Sequence, residues 1–180
     1  MKYKILFISV AVTALLLLSC GQEQPITPQL TQSDEATALA KKAMRTPFTA
    51  TTPLTITDPG DIRELPNGTL HFRDQIRKGP VSGDLENNDF DAVIVVIEKA
   101  KLDVLGNGPG RGTFKITACH TVLGCGTFEG RFKGRNTGFL FADKFKAKGT
   151  SGDFVGMKMK GNFAETTPGS NVFVLTGTIR

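Results

Sequence analysis

The sequence lacks the usual marks of a nucleic-acid-binding protein. It has no tryptophan, no long block of lysine and arginine, no recognition-helix pattern and no aromatic RNA-binding signature. Its formal net charge of +5 permits contact with anionic surfaces but does not require it. Nucleic acid is therefore not expected as a partner.

Long apolar runs are also scarce. The one mostly apolar, uncharged run covers residues 5–18, and it is too short to cross a bilayer, which takes about 20 residues. Because it follows Lys2 and Lys4, it fits the apolar region of an export signal.

The apolar run ends in the residues LLSC at positions 17–20. This ending resembles a bacterial lipobox, in which the cysteine is lipidated and the chain is cut just before it. We predict a signal peptide over residues 1–19 and acyl chains such as palmitate on Cys20. The alternative is an ordinary secretory signal in which Cys20 is incidental.

Lipidation of Cys20 would make the membrane a partner through the anchor rather than through a helix. Gly21 follows the cysteine instead of an aspartate, so nothing marks retention at the inner membrane. The expected location is the bacterial cell envelope, at the outer rather than the inner membrane, facing the periplasm or the cell surface.

A tether is predicted next, over residues 20–50, because glutamine, threonine and proline are frequent there and bury little surface. Within it, SDEATALAKKAM (33–44) predicts one short helix. A serine or aspartate can cap its first turn, and lysines stand near its end.

Short alternating runs between turn signals follow over residues 51–180. Glycine and phenylalanine are abundant, at 20 and 13 residues, and long helical patterns are few, which favours an all-β class. We count eight or nine strands with one apolar and one charged face, as in an antiparallel sheet with one wet side. The pattern predicts an antiparallel closed barrel of eight or nine strands. A two-sheet sandwich is the alternative.

The order of the motifs GTFKI, GTFEGRFKG, GFLFADKFKAKGTSGDFVGMKMKGNF and LTGTI resembles the allene oxide cyclase-like and dirigent-like barrels, especially bacterial members of uncharacterised function. The likeness covers residues 65–180. It implies an eight-stranded barrel, often a homo-oligomer, with a cavity at one mouth. The plant cyclases act on a lipid epoxide, and dirigent proteins steer phenoxy-radical coupling. No catalytic residue of these families aligns with this chain, so the catalytic residues stay unknown.

Three acids fall in phase with apolar residues. They are Asp74, Glu98 and Asp143. An unpaired buried carboxylate costs several kcal/mol, so each should be paired, wet or protonated. The functional hypothesis is that they line a ligand cavity as hydrogen-bonding groups or as a general base. The alternative is that a bulge shifts the strand phase or that water reaches each acid at a rim.

Apolar candidates for the same cavity are Phe72, Phe141 and Met157. The first functional hypothesis is a non-enzymatic barrel that binds a small apolar or amphipathic ligand. The second is a cyclase- or isomerase-type enzyme that uses the inward carboxylates, and the third is a purely structural envelope protein. No cofactor is expected.

Cys119 and Cys125 bracket the residues HTVLG and are predicted to face outward at the ends of a hairpin loop. An exported protein meets an oxidising compartment, so we predict a disulfide between them. A metal site that adds His120 is the alternative, but three ligands without a fourth make a poor site, and no metal is expected.

Eight lysines and arginines but only two acids lie between residues 131 and 160. Lys144, Lys146, Lys148, Lys158 and Lys160 are predicted on the outer face of the last strands. We interpret them as a solvated face that also discourages edge pairing. The alternative is contact with anionic lipid heads or polysaccharide.

Overall fold

The computed structural model describes residues 45–85 and 88–180. The predicted signal peptide, Cys20 and the short helix of the tether lie outside the described residues and stay predictions. The described residues form ten β-strands. Among them, no helix is long and apolar enough to cross a membrane.

The strands follow one another along the chain with short connections. Their bounds are β1 (Thr46–Pro53), β2 (Thr55–Asp58), β3 (Asp61–Glu64), β4 (Leu70–Leu85), β5 (Asn88–Leu102), β6 (Gly108–His120), β7 (Gly124–Asn136), β8 (Ala142–Gly152), β9 (Lys158–Glu165) and β10 (Val172–Ile179).

Eight of the ten strands close into a barrel. From β4 to β10 each strand pairs antiparallel with the next one in the chain, and β1 pairs with β10 on one side and with the end of β4 on the other. The short strands β2 and β3 pair antiparallel with the first part of β4. The predicted closed antiparallel barrel is confirmed, and the sandwich alternative is wrong.

The barrel begins earlier than the sequence predicted. Strand β1 starts at Thr46 and so occupies positions 46–50 of the predicted tether. Its inward residues are Thr46, Phe48, Ala50 and Thr52. Because two of these four are threonines, the alternation of apolar and polar residues is too weak to separate this strand from the threonine-rich segment before it.

Phenylalanine rings fill the lumen and pack over glycines of neighbouring strands. A Cβ on Gly130 would lie 2.7 Å from Cζ of Phe114, and one on Gly161 would lie 2.9 Å from Cζ of Phe145. The Phe114 and Phe145 rings themselves meet edge to face at 5.6 Å. The glycines inside the strands therefore make room for the large rings that form the core.

Two apolar cavities remain inside the barrel. One, of about 10 Å³, is lined by residues that include Phe114, Phe132 and Phe163. The other, of about 20 Å³, lies among residues that include Phe48, Phe128 and Phe154. Each has room for about one water molecule, so the phenylalanines pack this lumen nearly solid.

The hairpin between β6 and β7 carries the predicted disulfide. Cys119 and Cys125 are exposed, lie directly opposite each other in the strand register and are joined by a disulfide bond. His120 is buried beside them, and its Nδ1 lies 3.2 Å from the backbone N–H groups of Val122 and Leu123. Its Nε2 lies 3.3 Å from the Leu85 carbonyl. His120 thus fastens the hairpin loop to β4, and the alternative of a metal site with both cysteines is wrong.

Candidate functional site

One end of the lumen collects most of the buried charge. We call it the acid-rich end; here β4, β6, β8 and β10 begin and β5, β7 and β9 end. Glu98 on β5 and Asp143 on β8 are 5% and 4% exposed, so the inward orientation that the alternation predicted for both is confirmed. Glu165 at the end of β9 is also buried, at 5% exposed.

We call Glu98, Asp143 and Glu165 the acidic cluster. Asp74 does not belong to it. The register of β4 on β5 shifts between Phe72 and Gln75, so a bulge turns the side chain of Asp74 outward, where it is 64% exposed and lies 3.0 Å from Nζ of Lys99. Its φ is 55°, in the left-handed region that aspartate tolerates better than most residues. The inward prediction for Asp74 is wrong, and the bulge that was the alternative is the reason.

The same bulge brings Arg77 into the lumen, where it is the central cation of the cluster. Its Nε lies 3.4 Å from Oε2 of Glu98 and donates to Oε1 of Gln75 at 3.0 Å. Its Nη1 donates to Oδ1 of Asn171 at 2.9 Å. The side chains of Arg77 and Glu98 are 9% and 6% exposed, so the ion pair is largely screened from water.

Two aromatic rings contact the guanidinium of Arg77. The carbon Cζ of Arg77 lies 5.3 Å from the ring centre of Phe141 and 5.9 Å from that of Phe173, within the range of a cation–π contact. Phe141 is half-buried and precedes β8. Its ring therefore contacts the guanidinium while part of its surface stays exposed to water.

Glu165 extends the cluster toward β10. Its Oε1 accepts a hydrogen bond from the backbone N–H of Asn171 at 2.9 Å, while its Oε2 has no hydrogen-bond partner. Asn171 has a φ of 56°, again in the left-handed region, where asparagine is favoured over most residues. This turn residue thereby contacts both Glu165, through its backbone, and Arg77, through its side chain.

Asp143 sits over a floor of glycines. A Cβ on Gly134 would collide with its Oδ1, and one on Gly110 would lie 3.7 Å from the same atom and 3.2 Å from Nδ2 of Asn136. Asn136 is fully buried, and both of its side-chain polar atoms lack a partner, as do both carboxyl oxygens of Asp143. Glycine at these two positions therefore leaves space for two polar side chains against the backbone.

Burial changes the acidity of two of the carboxyls. The pKa of Asp143 is raised from 3.8 to about 7, first because burial disfavours its charged form and second because Glu98 lies nearby. The pKa of Glu98 is also raised, mainly by burial and further by Glu165, while Arg77 opposes the rise. The pKa of Asp143 therefore lies close to neutral pH, the range that suits a general acid or base.

The cluster carries more negative than positive groups. This end of the lumen holds three buried carboxyls and one guanidinium, of which only Glu98 pairs directly with Arg77. Four of the six carboxyl oxygens have no hydrogen-bond partner: Oε1 of Glu98, both oxygens of Asp143 and Oε2 of Glu165. Buried polar atoms are nearly always hydrogen-bonded in proteins. Such a site can hold protons or accept hydrogen bonds from a cationic group.

The predicted apolar partners do not line one cavity. Phe72 pairs with Ala100 near the mouth of the acid-rich end and is half-buried. Met157 lies in the turn before β9, at the opposite end of the barrel. The prediction that Met157 shares a site with Phe141 is therefore wrong. Met157 precedes β9 and Phe141 precedes β8, and because these strands are antiparallel the two residues lie at opposite ends of the barrel.

Exposed apolar side chains rim the acid-rich end. Val104 and Leu105 in the β5–β6 loop are 64% and 69% exposed, and Phe139 in the β7–β8 loop is 41% exposed. The two loops are joined, since the Phe139 N–H donates to the Gly106 carbonyl at 3.1 Å. Phe139 has a φ of 65°, in the left-handed region, so it lies outside the regular strand geometry of β8.

Sequence reasoning missed several members of the cluster. Glu165 follows Met159, Gly161 and Phe163 at the same spacing of two, so continuing the alternation one step further finds it. Asn136 follows Phe132 and Gly134 in the same way. No local pattern reveals Gln75, Arg77 or Asn171, because the bulge and a turn decide where they point.

Comparison with protein-family models, with curated proteins and with solved structures finds no match for the chain. The resemblance to allene oxide cyclase-like and dirigent-like barrels therefore stays a prediction. Within the part of the chain that the structure describes, no group of three or more His, Cys, Asp or Glu side chains is arranged to hold a metal ion.

Proposed function

We propose that this protein is a lipid-anchored barrel of the bacterial envelope that binds a small amphipathic ligand with a cationic head at its acid-rich end. One observation carries the proposal: four buried carboxyl oxygens of Glu98, Asp143 and Glu165 lack a hydrogen-bond partner. A primary amine or ammonium head supplies both the charge and the donors that these oxygens need.

The amphipathic character follows from the rim. The exposed side chains of Val104, Leu105 and Phe139 form an apolar border around the charged cluster, where the apolar part of a ligand would lie. The lumen beyond has cavities of only about 10 and 20 Å³. The ligand therefore lies at the mouth of the barrel, and Phe141 must turn aside to admit its head.

Matched ligands test this proposal. We expect dodecylamine to raise the unfolding temperature of the protein at pH 8, where the carboxyls are most ionised, and dodecanol and dodecanoate to have no such effect. Asp143→Asn and Glu98→Gln should each abolish the shift because they remove the charge that the amine meets. Asp74→Asn is the control, since Asp74 lies outside the cluster. Equal shifts with dodecanoate, or a shift retained in Asp143→Asn, would refute the proposal.

A second candidate function is acid–base catalysis of the cyclase or isomerase type. The pKa of Asp143, raised to about 7, favours it, because a general acid or base acts best near the ambient pH. Native mass spectrometry of protein purified from its host would weigh any retained molecule. If incubation converts that molecule and Asp143→Asn stops the conversion, the protein is an enzyme; an unchanged molecule favours the binding function.

The lipid anchor has its own test. Globomycin, which blocks processing of lipoprotein precursors, should leave the signal peptide attached, and untreated protein should carry added acyl mass on Cys20. Cys20→Ala is the matched control and should lack this mass. An unmodified Cys20 in the untreated protein would rule out the anchor.

A further inference from the structure

A basic groove runs along the outside of the barrel where β7, β8 and β9 lie side by side. It has a volume of about 680 Å³. The cationic side chains that line it are Arg131, Lys146, Lys148, Lys158, Lys160 and Arg180. A second groove of about 400 Å³ continues it toward β10 and shares Lys146 and Lys160 with it. Together the two grooves form one elongated basic surface, which we call the basic track.

Like charges stand directly opposite each other in this track. The register pairs Lys146 with Lys160 on one side and with Arg131 on the other, and it pairs Lys148 with Lys158. Like charges in directly opposite positions destabilise a sheet. Within the described residues, the one acid that lines the groove is Glu129, whose Oε1 lies 3.5 Å from Nζ of Lys115, outside the groove.

Protection of a strand edge does not account for these lysines. Charged residues on an exposed edge prevent pairing with another chain, and the sequence favoured that interpretation. In the closed barrel, however, β8 pairs with β7 and β9, and β9 pairs with β8 and β10. Both strands are covered on both sides, so the lysines protect no edge.

We propose that the basic groove binds a linear anionic polysaccharide along β8 and β9. The shape and charge of the groove carry this inference. Alternate lysines on one strand lie about 7 Å apart and neighbouring strands about 4.8 Å apart, so two rows of ammonium groups follow an extended chain of charged sugars. An acidic polymer relieves the repulsion between the facing lysines by placing anions between them.

The lining of the groove favours a polysaccharide over a membrane surface. Binding to a lipid interface gains from apolar side chains that insert between the head groups. Val122 and Val155 are exposed on loops of this protein, but neither lines the groove. Long cationic side chains form most of the lining, with Thr113 and Glu129 among them. Ala147 and Met159 also line the groove, but both are buried and cannot insert between lipid head groups.

Binding of the full-length protein to polygalacturonate, a linear polymer with one carboxylate per sugar, tests the inference. We expect saturable binding at low ionic strength, none to neutral dextran, and an affinity that falls steeply with added salt. The double variant Lys146→Gln/Lys160→Gln should weaken binding at least about tenfold, since each lysine near an anionic surface contributes measurably. Its folding should be intact, because both side chains face water, and circular dichroism verifies this.

The control is Lys78→Gln/Lys101→Gln, which removes the same charge outside the groove. If direct contacts rather than net charge determine the affinity, this control should change it less than about twofold. Equal weakening in both double variants would overturn the proposal, because net charge alone would then explain binding. Preference for phosphatidylglycerol vesicles over polygalacturonate, lost in Lys146→Gln/Lys160→Gln, would make the occupant a lipid head group and also overturn it. Failure to bind polygalacturonate better than dextran would do the same.

Discussion

The two faces of β8 place opposite charges in opposite surroundings. Asp143 points into the lumen beside Phe145 and is 4% exposed, while the neighbouring residues Lys144 and Lys146 point outward and are exposed. On neither face does β8 carry a residue of opposite charge that would neutralise the charge of that face. Inside, an ionised carboxylate without a partner is costly, so burial raises its pKa and favours the neutral, protonated form. Outside, water and salt screen the lysines, which remain charged at small cost.

The comparison also separates two kinds of function. The inner cluster holds a few groups that a single ligand or proton can satisfy, since Glu98 pairs with Arg77 while Asp143 and Glu165 lie close enough to Glu98 to raise its pKa or have theirs raised by it. The outer track repeats one charge along two strands, which suits a repeating partner. The inner site is therefore sensitive to pH, whereas the outer track is sensitive to ionic strength.

Removal of the inner cation should have the largest effect. Arg77→Met leaves Glu98 buried without the guanidinium beside it, and loss of one partner of a buried pair typically costs about 3–5 kcal/mol. We expect this loss in the free energy of unfolding at pH 8, measured by urea denaturation. Burial raises the pKa of Glu98 and Arg77 opposes that rise, so without Arg77 the carboxyl takes up a proton more readily as pH falls, and the loss should be smaller at pH 5 than at pH 8. The double variant Arg77→Met/Glu98→Gln should recover part of the stability. Equal losses at the two pH values would mean that ionisation of the buried acid does not cause the loss.

Neutralising the inner acid should have the next largest effect. The folded pKa of Asp143 is about 7 against 3.8 for the free residue, so the folded state binds more protons between these values. Stability therefore falls as pH rises through this window and stays low above pH 7. Asp143→Asn removes this titration. The difference in free energy of unfolding between the variant and the wild type should therefore be about 3 kcal/mol more in favour of the variant at pH 8 than at pH 5.

Asp74→Asn is the matched control for that measurement. It makes the same chemical change at an exposed acid, and asparagine tolerates the left-handed backbone that Asp74 adopts. We expect no comparable gain between pH 5 and pH 8. If both variants gain equally, burial is not the reason for the pH dependence.

Reversing one outer charge should have the smallest effect, a slight gain in stability. Lys146→Glu places an acid between Arg131 and Lys160, which lie opposite it on the two neighbouring strands. Opposite charges in such positions contribute roughly 0.2–1 kcal/mol each, so the variant should be slightly more stable than wild type at low salt. Thermal unfolding should show this gain at about 20 mM salt and lose it at about 500 mM salt, where surface charges are screened. A loss of stability would mean that the lysines do not repel each other.

Several features were readable from local pattern. The alternation over β8 correctly placed Asp143 and Phe145 inside and the lysines outside, because successive side chains of a strand must point to opposite faces. The same rule placed Glu98 inside. The pairing of Cys119 with Cys125 also followed, since both face outward at the two ends of one hairpin.

Other features depend on contacts that no local pattern contains. The bulge that turns Asp74 outward and Arg77 inward is a change in register between β4 and β5, and a single extra residue inverts the phase of the residues after it. The turn at Asn171, which joins Arg77 to Glu165, likewise depends on the loop between β9 and β10. Met157 was misplaced because the antiparallel pairing of β8 and β9 puts it at the end of the barrel opposite Phe141.

Local sequence was sufficient to predict an antiparallel sheet with one wet face, the inward direction of Glu98 and Asp143, and the disulfide, because a strand's two-residue period and a hairpin's two ends are properties of neighbouring residues. Three further facts came only with the folded chain: Glu98 pairs with Arg77 near Asp143 and Glu165, phenylalanines leave almost no space in the lumen, and the lysines of β8 face those of β9. These facts depend on register between strands and on closure of the sheet, which bring together residues far apart in the chain.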